Sequence, residues 1–232
     1  MKLNIPSDGT KIGHDGERLV VPDNPIIPYI IGDGIGIDVT PVMKRVLDYA
    51  VNKAYGNTRE IKWLELYAGS NSKELYGSIL PEETIEAMKE YRISIKGPLT
   101  TPIGKGHKSI NVQIRQKLDL FACVRPIKYF PGTSTPMAES GLTDMVVFRE
   151  NTEDLYSGIE WEPNSPGAKR IIDFINKELG HSPFRFEDNC GIGIKPVSEE
   201  GTKRLIRMAI DYSLALNKSS ITVVHKGNIM KY

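Results

Sequence analysis

The chain has 232 residues, of which 40% are hydrophobic and 25% are charged, as in an ordinary globular protein. Its 30 Lys and Arg residues nearly balance its 29 Asp and Glu residues, and the net charge of +1 argues against a nucleic-acid-binding platform or a polybasic membrane binder. Two cysteines, and the lack of an apolar run of about 18 residues, argue against a disulfide scaffold and a membrane-spanning protein. The first residues also lack the apolar core of a secretory signal, so we expect a cytoplasmic protein.

Strands and helices alternate between residues 25 and 125. PIIPYII predicts a buried strand that ends at the turn GDGIG, and Thr40 predicts the N-cap of a helix with Pro41 at its first position and Gly56 at its end. IKWLELY and ISIK predict further strands, and PEETIEAMKEY and residues 110–118 predict helices. This alternation is typical of an α/β layer with a largely parallel sheet, whose ligands bind outside the carboxyl ends of the strands. The apolar stripe of the first helix comprises Val42, Met43, Val46, Leu47, Ala50, Val51 and Ala54.

The later part of the chain has a different rhythm. Leu120–Val124 predicts a strand with Arg125 at its carboxyl end, and TDMVVFRE predicts a strand that ends at Arg149. GAKRIIDFINKELG predicts a helix, PFRFEDNCGIGIKP a twisted strand or hairpin, and SEEGTKRLIRMAIDYSLALN a long helix that opens at Ser198. SITVVHK predicts a last strand. HKGNIMKY begins a new element directly after it, so we expect an interrupted chain rather than a completed fold.

Arginines are the most informative polar residues. Asn111 and Arg115 share one face of a predicted helix because they are four residues apart, and Ser109 lies just before them. Arginine forms bidentate pairs with carboxylates and phosphates, so Arg115, Arg125 and Arg149 together suit a small polyanion. Each arginine alone is more often part of a surface ion pair, and the residue pattern by itself leaves both interpretations open.

Four other features are ambiguous. GDGIG does not match a dinucleotide-binding or phosphate-binding loop and is read first as a tight turn. The loop KGPLTTPIGKGHKS offers backbone N–H groups and hydroxyls to a polar ligand, or is a surface connection. Tyr156 and Lys226 could transfer protons in a closed site or be solvated. Residue chemistry alone therefore indicates an α/β protein with a site for a small multi-carboxylate or phosphate.

Longer segments carry a resemblance. NPIIPYIIGDGIGIDVTP, IKGPLTTPIGKGHKSINVQIRQKLDLFACVRPIKYF, TDMVVFRENTEDLYSGIEW, GIGIKPVSEEGTKRLIRMAIDY and VHKGNIMKY resemble the bacterial NADP-dependent isocitrate dehydrogenases, within the isocitrate/isopropylmalate dehydrogenase family. The resemblance runs from about residue 20 to the last residue. It implies the α/β fold of that family, present here as an incomplete amino-terminal portion. The Ser109 and Asn111 pair favours isocitrate over isopropylmalate, homoisocitrate and tartrate as the substrate.

The resemblance also implies roles for the residues of a site. Arg115, Arg125 and Arg149 would hold the carboxylates at the reacting end of isocitrate, and Ser109 and Asn111 would bind its remaining carboxylate. Thr100 would contact the nicotinamide end of NADP. The catalytic pair would be Tyr156 and Lys226, with Lys226 reaching into the site of the partner subunit.

The same resemblance implies cofactors and partners. The reaction would be the NADP-dependent oxidative decarboxylation of isocitrate to 2-oxoglutarate, with Mg²⁺ or Mn²⁺, in the tricarboxylic acid cycle and at the branch to the glyoxylate bypass. The metal-binding aspartates would lie in a carboxyl-terminal half beyond this chain, which itself contributes no metal ligand. A homodimer is expected, together with a regulatory kinase that phosphorylates Ser109, and neither nucleic acid nor membrane is an expected partner.

The domain arrangement follows from the resemblance as well. Residues 1–120 would be the first part of a large α/β domain, residues 121–153 and 199–232 a dimer-forming small domain, and residues 154–198 a clasp-like insertion. Ile31 departs from many relatives, which have Glu before Gly-Asp-Gly. Two function classes remain: the amino-terminal portion of an oxidoreductase, or a non-catalytic fragment that keeps dimerisation or substrate-binding elements. We expect the 232-residue chain alone to be inactive and poorly stable.

Overall fold

The computed structural model describes residues 2–100, 109–180 and 184–229. The chain divides into two compact units, Met1–Leu118 and Asp119–Tyr232. Within the described ranges, the helices lack the combination of length and apolar character that crossing a bilayer requires.

A small three-stranded parallel sheet organises the first unit. After a hairpin of β1 (Gly13–His14) and β2 (Leu19–Val20), the central strand β3 (Ile26–Ile30) pairs with β4 (Lys62–Leu66) on one side and β5 (Ile95–Lys96) on the other. In this register Ile30 lies opposite both Leu66 and Lys96. The carboxyl ends of the three strands therefore lie at one edge, and the predicted parallel α/β layer is confirmed.

The described residues of this unit form the helices α1 (Gly36–Tyr55), α2 (Ser70–Tyr76), α3 (Glu82–Tyr91) and α4 (Ile110–Lys117). Leu64 of β4 and Ile85 of α3 are fully buried, and α4 inserts Ile110 and Ile114 into the same core. Burial of such a side chain contributes about 1.5–3 kcal/mol, so α4 is fixed mainly by these two isoleucines. The helices predicted at residues 81–91 and 110–118 are confirmed.

The start of α1 was predicted wrongly. The helix begins at Gly36, whose N–H donates to the Asp33 carbonyl at 2.9 Å, rather than at Pro41. Thr40 lies inside the helix and is buried, and its hydroxyl donates to the Ile31 carbonyl at 2.7 Å instead of capping the helix. A tertiary hydrogen bond to the end of β3 thus replaces the predicted N-cap, and Pro41 is accommodated within the early part of the helix.

The apolar stripe of α1 is largely uncovered in this chain. Val42 is 55% exposed and Val46 60% exposed. The helix ends at Gly56, as predicted. Strand β3, by contrast, is buried along its whole length.

In its described residues, the second unit contains two antiparallel strand pairs and two α-helices. Strand β6 (Ala122–Lys128) pairs with β7 (Asp144–Glu150), and β8 (Ile159–Trp161) pairs with β9 (Ile192–Ile194) across helix α5 (Pro166–Lys177). Helix α6 (Glu199–Ala215) begins after Ser198, whose hydroxyl accepts from the Gly201 N–H at 2.9 Å, as the sequence predicts. It packs on β7, where the rings of Phe148 and Tyr212 lie 5.3 Å apart.

Three predictions for this unit need correction. Arg125 lies in the middle of β6, because the pairing with β7 continues through Pro126 to Lys128. Of the strand or hairpin predicted at residues 183–196, the described residues 184–196 contain the strand β9, which pairs with the distant β8 rather than forming a local hairpin; residue 183 lies outside the described residues. The segment SITVVHK is irregular rather than a strand, because its backbone has no strand partner within the described parts of the chain.

Candidate functional site

Helix α4 gathers three of the predicted site residues. Ser109 directly precedes the helix, and its carbonyl accepts the first helical hydrogen bond from the Gln113 N–H at 3.0 Å. Asn111 and Arg115 follow on one face at four-residue spacing, and both side chains are half-buried. Because Ile110 and Ile114 anchor the other face in the core, the polar face is held at a fixed angle to the sheet.

Lys96 is a member of this cluster that the sequence reasoning missed. It is the last residue of β5, and its ammonium donates to the Gly97 carbonyl at 2.6 Å. Although the residue as a whole is exposed, partial burial of the ammonium lowers the pKa of Lys96. The like charge of Arg115 lowers it further, and the carboxylate of Asp33 acts in the opposite direction. The positive charges of Lys96 and Arg115 therefore act on one another. The signal in the sequence was a lysine at the carboxyl end of a predicted strand.

Thr100 lies just past that strand end. It is exposed, and its backbone N–H donates to Oδ2 of Asp33 at 2.9 Å. Residues 101–108 of the predicted ligand-binding loop lie outside the described residues.

In the second unit, the pairing of β6 with β7 brings two predicted arginines to one face. Arg125 lies opposite Val147, and Arg149 lies opposite Cys123. Directly paired residues of antiparallel strands share a face, so Arg125 and Arg149 are diagonal neighbours, with Cα atoms about 7–8 Å apart in typical geometry. Phe148, which contacts α6, points to the other face. The two guanidinium groups are therefore carried on the face opposite α6.

Tyr156 belongs to the same group. It lies in a short 3₁₀ turn, Asp154–Ser157, that follows β7. The guanidinium carbon of Arg149 lies 4.6 Å from the centre of the Tyr156 ring, within the range of a cation–π contact. The structure thus joins an anion-binding side chain to a phenol that can donate a proton.

The segment between Arg149 and Tyr156 is fixed by carboxylates. Oε1 of Glu150 accepts from the Thr152 N–H and hydroxyl, both at 2.8 Å, and from the Glu153 N–H at 3.0 Å. Burial alone would raise the pKa of Glu150, but these hydrogen bonds outweigh it and hold the pKa below its usual value. Glu153 in turn accepts from the backbone N–H of Ser198 at 2.8 Å and from its hydroxyl. The 3₁₀ turn is thereby tied to the start of α6.

Lys226, the other predicted catalytic residue, is exposed and lines a cavity of about 460 Å³. Its neighbours there include His225 and the carboxylate residues Glu150, Glu153 and Asp154. Among the described lining residues, the other members of the predicted site are not found. The structure therefore brings together Ser109, Asn111 and Arg115 in one unit and Arg125, Arg149 and Tyr156 in the other. Lys226 lines a cavity with Glu150 and with Asp154, the first residue of the turn that carries Tyr156.

A divalent metal site is not formed by the described residues, because they contain no group of three or more His, Cys, Asp or Glu side chains suited to hold an ion. The prediction that this chain contributes no metal ligand concerns the whole chain and stays a prediction. No catalytic step through a metal ion can be built on the described side chains.

Comparison with known proteins places the chain among dehydrogenases. A family model described as isocitrate/isopropylmalate dehydrogenase matches residues 26–232. The chain is 56% identical over 233 residues to isocitrate dehydrogenase [NADP] 1 of Colwellia maris, covering 100% of this chain and 56% of that protein. It is 53% identical over 232 residues to isocitrate dehydrogenase [NADP] of Coxiella burnetii, covering 99% and 54%. The chain thus spans about half the length of these curated relatives.

Solved structures agree with this placement. An isocitrate dehydrogenase from Methylococcus capsulatus is similar with a TM-score of 0.68 at 34% identity, covering 89% of this chain and 52% of that one. A beta-decarboxylating dehydrogenase from Thermococcus kodakarensis is similar with a TM-score of 0.56 at 25% identity, covering 89% and 50%. The predicted fold class is confirmed by these likenesses.

Proposed function

Because the chain belongs to the isocitrate/isopropylmalate dehydrogenase family, we propose that it catalyses, as the amino-terminal portion of an enzyme, the NADP-dependent oxidative decarboxylation of isocitrate to 2-oxoglutarate. The observation that carries the proposal is identity of 52–56% across the chain to relatives named isocitrate dehydrogenase [NADP]. Those relatives are about twice as long, so the activity is proposed for the complete gene product that contains this sequence.

Substrate binding rests on the arginines. In this proposal Arg115, Arg125 and Arg149 hold the carboxylates at the reacting end of isocitrate, and Ser109 and Asn111 donate to the remaining carboxylate. Support comes from helix α4, which follows Ser109 directly and carries Asn111 and Arg115 on one face. It also comes from the face of β6 and β7 that carries Arg125 and Arg149. Fixed cations that stay in place as charge develops provide both orientation and electrostatic stabilisation.

Proton transfer is assigned to Tyr156 and Lys226. Loss of CO₂ from the oxidised substrate leaves an enolate, and the phenol of Tyr156 donates the proton that completes 2-oxoglutarate. Arg149, whose guanidinium lies over the Tyr156 ring, orients the ring for that transfer. Lys226, which lines a cavity beside Glu150, Glu153 and Asp154, would act in the site of a second subunit.

Thr100 is the described residue proposed to contact NADP. Thr100 is exposed at the carboxyl edge of the parallel sheet, where ligands of such sheets bind, and its backbone is held by Asp33. Its hydroxyl would bind the nicotinamide end. NADP, when bound, supplies a hydride acceptor. Mg²⁺ or Mn²⁺ is an expectation from the family, and the described residues offer no ligand set for it.

The finer assignments are part of the same proposal. They comprise a homodimer, a regulatory kinase acting on Ser109, a role in the tricarboxylic acid cycle and the glyoxylate bypass, and a cytoplasmic location. The division into a large domain, a small domain and a clasp also stays a prediction, supported by the β8–β9 pair that closes the segment around α5.

A direct test is the substrate profile of the complete gene product. With NADP and Mg²⁺, kcat/KM for isocitrate should exceed that for isopropylmalate and for tartrate by about a hundredfold or more, since a site with several carboxylate partners rejects analogues that leave them unpaired. NAD in place of NADP measures the cofactor preference in the same assay. Equal rates with isopropylmalate, or no turnover of isocitrate, would overturn the proposal. The second outcome would favour the non-catalytic fragment.

A further inference from the structure

The three strands of the parallel sheet end close to one carboxylate that the proposed mechanism does not use. Asp33 is the middle residue of the turn after β3, Gly32-Asp33-Gly34, and is half-buried. Sequence reasoning read this stretch as a tight turn, which explains its glycines but assigns nothing to its acid.

Both carboxylate oxygens of Asp33 accept a backbone hydrogen bond, each from a different loop. Oδ1 accepts from the N–H of Ser70, at the start of α2, at 2.8 Å. Oδ2 accepts from the N–H of Thr100, past the end of β5, at 2.9 Å. The Asp33 N–H itself donates to the Pro98 carbonyl at 2.7 Å. One residue therefore connects the segments that follow β3, β4 and β5.

The neighbouring glycines allow this close approach. A Cβ atom on Gly69 would lie 2.5–2.8 Å from the Asp33 carboxylate, and Gly69 has a φ of +85°. A Cβ atom on Gly32 would collide with the backbone of Gly97 and Pro98, and one on Gly97 would collide with the Ile31 carbonyl. Glycine at positions 32, 69 and 97 therefore lets the backbone segments approach Asp33 without a Cβ clash.

We propose that Asp33 is a positioning residue that fixes Thr100 for contact with the nicotinamide cofactor. The assignment of Thr100 to the cofactor rests on the proposed function. The assignment of Asp33 to Thr100 rests on the hydrogen bonds and close contacts alone. Two separate measurements can therefore test the two steps.

The first measurement is backbone amide hydrogen exchange, which needs no activity. Asp33→Asn keeps one acceptor oxygen and turns an NH₂ group toward one of the two N–H donors, whereas Asp33→Ala removes both acceptors. Loss of a hydrogen bond to a charged group should speed exchange at Thr100 or Ser70 by about tenfold to hundredfold in the first variant, and at both in the second. Asp38→Asn, a carboxylate change in the first turn of α1 five residues away, is the matched control and should leave both amides unchanged.

A pair of glycine variants separates displacement of Asp33 from backbone strain. Gly69→Ala places a methyl group against the Asp33 carboxylate at a residue of positive φ. Gly77→Ala introduces a methyl group at a similar φ of +73°, but into open space. Faster exchange of the Thr100 amide in Gly69→Ala but not in Gly77→Ala supports the proposal. Equal exchange rates of that amide in the two variants would show that its contact with Asp33 does not hold Thr100 in place.

The second measurement uses steady-state kinetics of the complete gene product. Asp33→Asn should raise the KM for NADP about tenfold, while the KM for isocitrate should change less than about threefold because α4 is anchored independently in the core. Unchanged exchange at both amides overturns the whole inference. If Asp33→Asn speeds amide exchange but its KM for NADP equals that of Asp38→Asn, the hydrogen bonds of Asp33 are confirmed and its role in positioning Thr100 for the cofactor is overturned. If the wild type does not oxidise isocitrate at all, the proposed function fails, and the exchange data still decide whether Asp33 fixes Thr100.

Discussion

The guanidinium carbon of Arg149 lies 4.6 Å from the centre of the Tyr156 ring, and six residues lie between the two along the chain. The contact depends on the turn after β7, which Glu150 and Glu153 hold by accepting backbone hydrogen bonds. It gives an arginine and a phenol a defined mutual orientation before any ligand is present. Substitutions that each remove a single chemical group can therefore test the proposed roles of these side chains separately.

Tyr156→Phe removes the hydroxyl and keeps the ring under Arg149. If the phenol donates the final proton, kcat of the complete gene product should fall by about a hundredfold or more, with little change in the KM for isocitrate. Steady-state rates of NADPH formation measure both constants. Tyr129→Phe, at a tyrosine outside the site, is the control. A kcat near the wild-type value would remove Tyr156 from the catalytic pair.

Arg125→Met removes a charge while retaining much of the aliphatic stem. Arg125 shares its face of β6 and β7 with Arg149, so loss of its contact to a substrate carboxylate should lower kcat/KM for isocitrate about tenfold to hundredfold. The comparison is Arg207→Met, at an exposed arginine of α6. Wild-type kcat/KM in Arg125→Met would contradict the assignment, and similar losses in both variants would indicate a general charge effect.

Ser109→Asp places a negative charge directly before α4, on the segment that carries Asn111 and Arg115. The charge should repel the incoming carboxylate and reduce isocitrate binding by about a hundredfold, with NADP affinity nearly retained. Isothermal titration with each ligand measures the two affinities. Ser109→Ala separates loss of the hydroxyl from the added charge. Equal loss of both affinities in Ser109→Asp would point to misfolding rather than to local repulsion.

Elements with a complete local signal were predictable from the sequence. Helix α6 has its capping serine and two glutamates at the start, and β3 is a short apolar run between turns, so both follow from the chain alone. The start of α1 does not, because the Thr40 hydroxyl donates to the Ile31 carbonyl of a neighbouring segment instead of capping a helix. SITVVHK has strand-forming residues, yet a strand also needs a hydrogen-bonded neighbour, which no local pattern can provide.

The residues of the candidate site also divide into those that local sequence predicts and those that depend on distant parts of the chain. The shared face of Asn111 and Arg115 follows from helical spacing, so it could be predicted. The position of Arg125 in the middle of β6 depends on the length of the pairing with β7, and the sequence placed it at the strand end. Lys96 and Asp33 were missed because their importance depends on segments distant in sequence. The charge of Arg115 acts on Lys96, and Asp33 accepts hydrogen bonds from Ser70 and Thr100.

The uncovered stripe of α1 predicts dye binding by the 232-residue chain. Val42, Val46 and Tyr49 are 55%, 60% and 69% exposed on one helix, and adjacent apolar residues of this kind promote association. The purified chain should bind a hydrophobic fluorescent dye and elute partly as oligomers in size-exclusion chromatography. The double variant Val42→Lys and Val46→Lys should reduce both effects more than Leu214→Lys on α6 does. Equal reductions would show that the stripe is not the main apolar surface.

Glu150 gives a prediction of pH dependence. Hydrogen bonds from Thr152 and Glu153 lower its pKa in the folded state below the ordinary value of 4.5, despite the opposing effect of burial. A lowered folded pKa means that the carboxylate stabilises the fold above the unfolded pKa, and that this contribution is lost as the pH falls through the folded pKa. Glu150→Gln should therefore lower the free energy of unfolding by about 1 kcal/mol near neutral pH, with a difference that shrinks below pH 4.5. Urea titrations of the 232-residue chain over a pH series measure this difference. Glu160→Gln, at an exposed glutamate of β8, should show almost none, and a Glu150→Gln difference that grows toward acid would contradict the assigned sign.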